Sequence, residues 1–290
     1  MRFLVLGPLE VHGDNGALAL GSPKERRLLA MLVASRGEVV SADLLIDGVW
    51  DGRPPRSAAK TLQGYVVHLR RVLEAGDASK PLRTQCFGYA LDVPPEAVDA
   101  DRFRDVVGAG RRAAEARDWD RAAALLKQAL GLWRGRPYAQ FGGAECFERE
   151  VRSLLELRLS ATETRIDAEL ALGRGADLVP EIEGLLVEHA TRERLWVQLM
   201  RALYRSGRQA DALAAYLRAR QKLIADLGIE PGPELRATEA AVLAQAPDLQ
   251  VSDGNDGWSP LPWRLVQAES LTDRRQADLA WLRGFIPVER

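Results

Sequence analysis

"RPPRSAAKTLQGYVVHLRRVL", residues 53–73, holds Arg53, Arg56, Lys60, Arg70 and Arg71 and no acidic side chain. At 100° per residue, Leu62, Val66, Leu69 and Leu73 fall on one side, so the spacing predicts a helix from Ser57 whose apolar stripe faces a core. The opposite side then carries Ser57, Lys60, Gly64, Val67 and Arg71, with Thr61 and His68 flanking it. A glycine inside a helix costs about 0.5–1 kcal/mol relative to alanine, a loss that makes sense where something must approach the backbone. Taken alone, the stretch is equally a solvated basic helix face. The sequence around it favours a contact surface.

Upstream, "RFLVL" (2–6) and "LEVHG" (9–13) read as strands, and "DNG" (14–16) offers a tight turn before "ALAL", which together predict a small antiparallel sheet. Ser22-Pro23-Lys24-Glu25 combines an N-cap serine, a proline in the first turn and a glutamate three residues after the cap, a helix start for "RRLLAMLVAS" that Gly37 ends. Ser41 caps a second helix, "ADLLIDGVW", which "DGRPP" closes. Downstream of the basic stretch, "LRTQCFGYALDV" (82–93) alternates around Phe87-Gly88 as a hairpin does. Sheet, three helices and hairpin in this order make a winged helix-turn-helix. In such a fold the third helix lies in the DNA major groove, where Lys60, Thr61, His68 and Arg71 reach base edges, while Arg53, Arg56 and Arg70 meet phosphates.

The whole chain of 290 residues carries a formal charge of -1, with 12 basic and 10 acidic side chains in residues 1–92 and 28 and 31 beyond. The local cluster therefore matters more than the total, because concentrated cations displace counterions from a polyanion whatever the net charge. The length suits two domains. No run reaches the roughly 18 apolar residues of a membrane span, and the N-terminus alternates where a signal peptide would be continuously apolar, so a cytoplasmic protein is expected. Cys86 and Cys146 have no C-x-x-C or Cys/His neighbours, which predicts neither a disulfide framework nor a metal site and leaves both as ordinary small apolar residues.

From Asp99 onward the pattern is helical. "GRGAD" (173–177) and "GRQAD" (207–211) lie 34 positions apart, the period of tetratricopeptide helix pairs. "EARDWDRAAALLKQAL" from Glu115 matches "RSGRQADALAAYLRAR" from Arg205 at an offset of 90, aligning Ala122 with Ala212 and Ala129 with Ala219. Two periods and an insertion of about 22 residues account for that offset, and "GRPYAQFGGAECFE" is the expected insertion. Trp119, Trp133, Trp196, Tyr204 and Tyr216 read as core packing.

"RFLVLGPLEV", the basic helix and "GYALDV" resemble the OmpR-type DNA-binding domain as it stands at the N-terminus of the Streptomyces antibiotic regulatory proteins, and "LGIEPGPELRATEAAVL" (227–243) resembles the end of their bacterial transcriptional activator domain. The fold expected is mainly α with a small β component: a winged helix over residues 1–93, a tetratricopeptide-like domain over 97–245, and a linker with a short amphipathic segment over 246–290. The resemblance implies a transcriptional activator, without cofactor, that binds direct repeats in double-stranded promoter DNA and self-associates head to tail there. It further implies recruitment of RNA polymerase holoenzyme, with its sigma factor, through Trp50, Asp51 and Gly52, and a role in secondary-metabolite gene expression. Cys86 and Phe87 stand where such wings often carry Arg or Pro, which moves the expected wing contacts to Arg83 and Thr84. In larger members a stretch like 246–290 leads into an ATPase domain, and no G-x-x-x-x-G-K-[ST] loop occurs here, so a fragment or shortened version is expected.

No catalytic constellation is expected. His12, His68 and His189 have no carboxylate or cysteine at ligand spacing, and neither H-E-x-x-H nor G-x-S-x-G occurs. The rival reading is a tetratricopeptide-like interaction scaffold whose winged domain binds protein instead of DNA.

Overall fold

The computed structural model describes residues 1–35, 37–76, 80–246 and 249. The chain opens with three antiparallel strands in spatial order, β1 (Arg2–Leu4), β2 (Glu10–Gly13) and β3 (Gly16–Ala17), with Phe3 opposite Val11 and His12 opposite Ala17. Helix α1 (Pro23–Ala34) starts on a full capping box: Ser22 Oγ accepts from the Glu25 amide, and Glu25 Oε2 accepts from the Ser22 amide at 2.7 Å. A short strand β4 (Val40–Ser41) leads into α2 (Ala42–Trp50), where Ser41 Oγ accepts from the Leu44 amide at 3.2 Å. Helix α3 (Ala58–Gly76) buries Leu62, Val66, Leu69 and Leu73, all at most 2% exposed, and each contributes about 1.5–3 kcal/mol. The hairpin β5 (Leu82–Gln85) and β6 (Gly88–Leu91) turns at Cys86-Phe87, one residue earlier than its alternation suggests, and β6 pairs with β4 to give the order β4-β6-β5.

That pairing explains Gly88. It stands opposite both Ser41 and Gln85, and a methyl group there would overlap the Val40 carbonyl oxygen and lie 2.9 Å from the Ser41 Cα. Because the obstacle is backbone, it cannot rotate aside. Gly88→Ala is expected to cost about 1–3 kcal/mol, the range of overpacked sites, seen as a lowered urea midpoint; an unchanged midpoint would show that the β4–β6 contact is looser than drawn.

The remainder is helical: α4 (Asp99–Glu115), α5 (Trp119–Leu130), α6 (Glu145–Ala171), α7 (Val179–Glu188), α8 (Glu193–Arg205), α9 (Gln209–Leu227) and α10 (Pro233–Leu243). The repeat is present in backbone detail. Amides of Gly173 and Gly207 donate to the carbonyls of Leu170 and Tyr204, and amides of Arg174 and Arg208 to those of Glu169 and Leu203, the same turn displaced by 34. Ninety positions before the second turn, Arg117 and Asp118 donate to Ala114 and Ala113 in the same way. Ala122, Ala129, Ala212 and Ala219 are all fully buried, since only a methyl group fits where paired helices meet. The insertion is shared between an irregular stretch, 131–144, and the first turns of α6, whose Phe147, Val151 and Leu154 join the core of the winged half.

Packing is continuous across the connection at 93–98. One core holds Phe3, Leu28, Leu62, Leu69 and Leu91 together with Phe103, Leu126, Phe147 and Leu154, and a second holds Leu159, Ile166, Leu199, Leu223 and Leu235. The insertion zips the two halves together: amides of Arg134, Tyr138 and Ala139 donate to the carbonyls of Leu6, Val5 and Gly7, and Phe3 bridges Val98 in parallel. The Asp99 carboxylate, 6% exposed, accepts from the Val5 and Leu6 amides at 2.7 and 3.1 Å. Both cysteines depart from the expectation of ordinary small apolar residues: both are free and exposed as residues, and the Cys146 thiol lies against Arg27, where burial pushes its pKa up. Cys86 occupies the tip of the hairpin, where a two-residue turn leaves no room for burial. The expected linker and amphipathic segment beyond residue 246 lie outside the described residues, Leu249 excepted, which is buried in the second core. No described helix is long and apolar enough to cross a membrane.

Candidate nucleic-acid interface

The buried stripe of α3 fixes what its other side shows. Ser57, just before the helix, and Lys60, Gly64, Val67 and Arg71 are exposed, while Thr61 and His68 are half-buried at the margins. Arg53 and Arg56, in the segment entering α3, are exposed as well. Among the described residues none of Arg53, Arg56, Lys60 and Arg71 has an ion-pair partner, so four solvated cations are gathered around one helix. Gly64 has open space where a side chain would stand and a helical, negative φ. Among the described residues nothing requires glycine there.

The other candidate residues are already engaged. Thr61 Oγ1 donates to the Ser57 carbonyl at 3.0 Å. His68 Nδ1 lies 2.8 Å from Glu25 Oε1, and Glu25 also closes the cap of α1. His12 Nε2 likewise lies 3.0 Å from Glu10 Oε2, which draws the Glu10 carboxyl below its ordinary range, chiefly through that hydrogen bond. Both histidines thus have a carboxylate neighbour, contrary to expectation: Glu25 reaches His68 from another helix, which spacing could not signal, whereas Glu10, two residues from His12, shares its face of β2. Among the described residues no group of three His, Cys, Asp or Glu side chains could hold a metal ion.

Arg70 turns toward the hairpin. Its Nε donates to the Leu82 carbonyl at 3.0 Å and its Nη2 to Thr84 Oγ1 at 2.5 Å, so Arg70 and Thr84 together clamp the wing to α3. Arg83 pairs with Asp92 at 2.7 Å, with both side chains more than half exposed. An exposed pair of this kind is worth about 0–1 kcal/mol and yields readily to a competing anion.

Trp50, Asp51 and Gly52 form a rigid corner. The Trp50 ring stacks on Tyr65 at 6.1 Å between centroids, with Lys24 Nζ 5.0 Å from its centre. Asp51 is left-handed (φ 51°), and both its oxygens accept from Arg27 of α1, which holds the carboxyl below its ordinary range. Gly52 follows at φ 70° with open space around it. The corner is therefore presented by α1 as well as α2, and Lys24 and Arg27 belong to it, a contribution that residues 50–52 alone do not signal. The structure thus groups the candidates three ways: the outer side of α3 with Arg53 and Arg56, the wing clamp with Arg83, and the 50–52 corner.

Residues 16–91 match the family described as transcriptional regulatory protein, C terminal, and residues 98–243 match the bacterial transcriptional activator domain. A three-helix winged fold with an outward basic helix, joined to such a domain, defines a bacterial transcriptional regulator. Regulatory protein DnrI of Streptomyces peucetius is 37% identical over 256 residues, covering 86% of this chain and 94% of DnrI. Regulatory protein AfsR of Streptomyces coelicolor is 40% identical over 250 residues, which are 86% of this chain but 25% of AfsR. The chain belongs to the Streptomyces antibiotic regulatory protein family. Among solved structures, Mycobacterium tuberculosis EmbR in complex with a low affinity phosphopeptide matches with a TM-score of 0.80 and 38% identity, over 85% of this chain and 65% of that one.

Proposed function

We propose that the chain is a sequence-specific activator that reads promoter DNA with residues 1–93 and uses residues 97–245 to contact other copies and the transcription machinery. The observation that carries this reading is the outer side of α3: among the described residues nothing covers it, and Arg53, Arg56, Lys60 and Arg71 are solvated there without ion-pair partners. A cation without an internal partner is available to a phosphate or a guanine edge. In this arrangement Lys60 and Arg71 reach bases, Arg53 and Arg56 hold phosphates, and Arg83 exchanges Asp92 for a phosphate. Arg70 serves by holding the wing in place, with Thr84 as its acceptor.

On direct repeats, copies stand head to tail and make heterologous contacts. The corner at Trp50, Asp51 and Gly52 then faces RNA polymerase holoenzyme with its sigma factor. The membership of DnrI in the same family supports secondary-metabolite genes as the targets.

The test is binding of the full chain to duplexes from the promoters near its own gene, across a salt series. The wild-type affinity is expected to fall steeply with salt as phosphate-bound counterions are released. Lys60→Ala or Arg71→Ala should weaken specific binding by about 1–3 kcal/mol where the side chain meets a base, while Arg53→Ala should lower all affinities alike and reduce the salt slope by about one. Retention of no DNA even at low salt would favour the interaction scaffold.

A further inference from the structure

Val67 is 55% exposed, and among the described residues it is the sole large apolar side chain that α3 leaves in solvent. It sits three residues after Gly64 and four before Arg71, on one stripe with Lys60. The stripe therefore runs cation, bare backbone, isopropyl group, cation. Both central positions are poor choices for an isolated helix: glycine has the lower propensity, and a β-branched side chain loses χ1 freedom. Among the described residues neither is required by internal packing, since Gly64 contacts nothing where a side chain would stand and Val67 projects from the core.

We infer that Val67 is a specificity-determining residue that packs on the C5-methyl group of thymine, with Gly64 letting the helix approach closely enough for that contact. The inference rests on the DNA-binding reading. Within the major groove the thymine methyl is the apolar group that the base pairs present, while the flanking positions offer acceptors suited to Lys60 and Arg71. A protein partner fits less well, because one valine between two cations and a glycine is no apolar patch of the kind that protein interfaces bury.

The experiment begins by selecting duplexes from a random library with the full chain. Each thymine of the selected site is then replaced singly by deoxyuridine, which removes the methyl group and keeps every hydrogen bond. Wild-type affinity is expected to drop about fourfold at one or two positions, the ratio that matches burial of one methyl group. Val67→Ala should bind the thymine site at that reduced level and be insensitive to uracil there, with an unfolding midpoint equal to or slightly above wild type, because the position is exposed and alanine is the better helix former. Equal uracil sensitivity in wild type and variant, or none in either, overturns this inference and leaves DNA binding standing. Enrichment of no duplex at all overturns the DNA-binding reading, and this inference with it.

Discussion

Asp99→Ala is expected to lose roughly 2–6 kcal/mol of stability, because it strands two buried backbone donors that each cost about 1–3 kcal/mol when left unpaired. The carboxylate receives the Val5 and Leu6 amides just past β1 while standing in the first turn of α4, so one side chain pins the start of the chain to the start of the helical half. Burial pushes its carboxyl above the ordinary range, against the opposing pull of those amides and of Arg134, whose guanidinium lies 3.9 Å away. The same edge is held by backbone bonds from Arg134, Tyr138 and Ala139 and by Gln140 Oε1 accepting from the Leu9 amide at 2.7 Å. Those bonds remain in the variant, so β1 should loosen without detaching. Asp99→Asn keeps one acceptor but sets an NH2 group against the second donor, and should fall between wild type and Asp99→Ala. Urea unfolding followed by tryptophan fluorescence and by far-ultraviolet circular dichroism is the measurement. The shared core predicts coincident transitions for wild type and separated ones for Asp99→Ala. A variant with the wild-type midpoint would mean that water replaces the carboxylate and that the junction is not sealed.

This junction marks where reading the sequence stops. The local signals were legible: the Ser22 capping box, the Ser41 cap, and the 3.6-residue spacing of Leu62, Val66, Leu69 and Leu73 each depend on residues within a few positions of one another. The 90-residue offset was legible for a related reason, since helix pairing in each repeat demands a small side chain at the same point, and the four alanines meet that demand. Asp99, by contrast, is one of two acids in the first turn of α4, where Asp and Glu are favoured by the helix dipole anyway, so its local context masks its distant task. The insertion at 131–144 has no period and was recognisable only as an interruption; its role lies in amides offered to a strand more than 120 residues earlier. Arg70 illustrates the same limit inside the candidate site. Its helical phase places it beside the outer face of α3, but the Leu82 carbonyl and Thr84 hydroxyl that claim it belong to the wing. The exposure of Lys60, Gly64 and Arg71 followed from periodicity alone, because a buried stripe of known phase leaves the opposite side no alternative.

Glu163→Ala should destabilise the second core by up to about 3 kcal/mol, the low end for breaking a buried ion pair, because Arg192 is a third exposed and both arginines keep a second carboxylate. Glu163 is 1% exposed in the middle of α6 and accepts Arg192 Nε at 2.8 Å and Nη2 at 3.2 Å, with Arg194 Nη1 3.9 Å away. Around it Arg194 Nη2 donates to Asp167 at 2.5 Å, and Gln198 Nε2 reaches both the Asp167 carboxylate and the Glu163 carbonyl. Arg111 from α4 stands close by, its pKa lowered by burial and by the charge of Arg194 while Glu163 pulls the other way, so the Glu163 side chain faces three arginines. Its removal strands Arg192 on Glu156 alone and leaves Arg194 to Asp167. Glu163→Gln keeps the shape and part of the hydrogen bonding without the charge, and should recover a fraction of the loss. Helix α6 gives the comparison its force, because Phe147, Val151 and Leu154 pack in the first core while Leu159, Ile166 and Leu170 pack in the second. Damage at Glu163 should therefore unfold α7 to α10 first and, below that transition, leave the proposed DNA affinity near wild type, whereas damage at Asp99 acts on the sheet beside α3. Hydrogen exchange resolves the two cases: faster exchange in α8 and α9 with α3 unchanged is the expected pattern for Glu163→Ala. Uniform acceleration through α3 would show that the two cores form one cooperative unit, with α6 as a rigid rod between them.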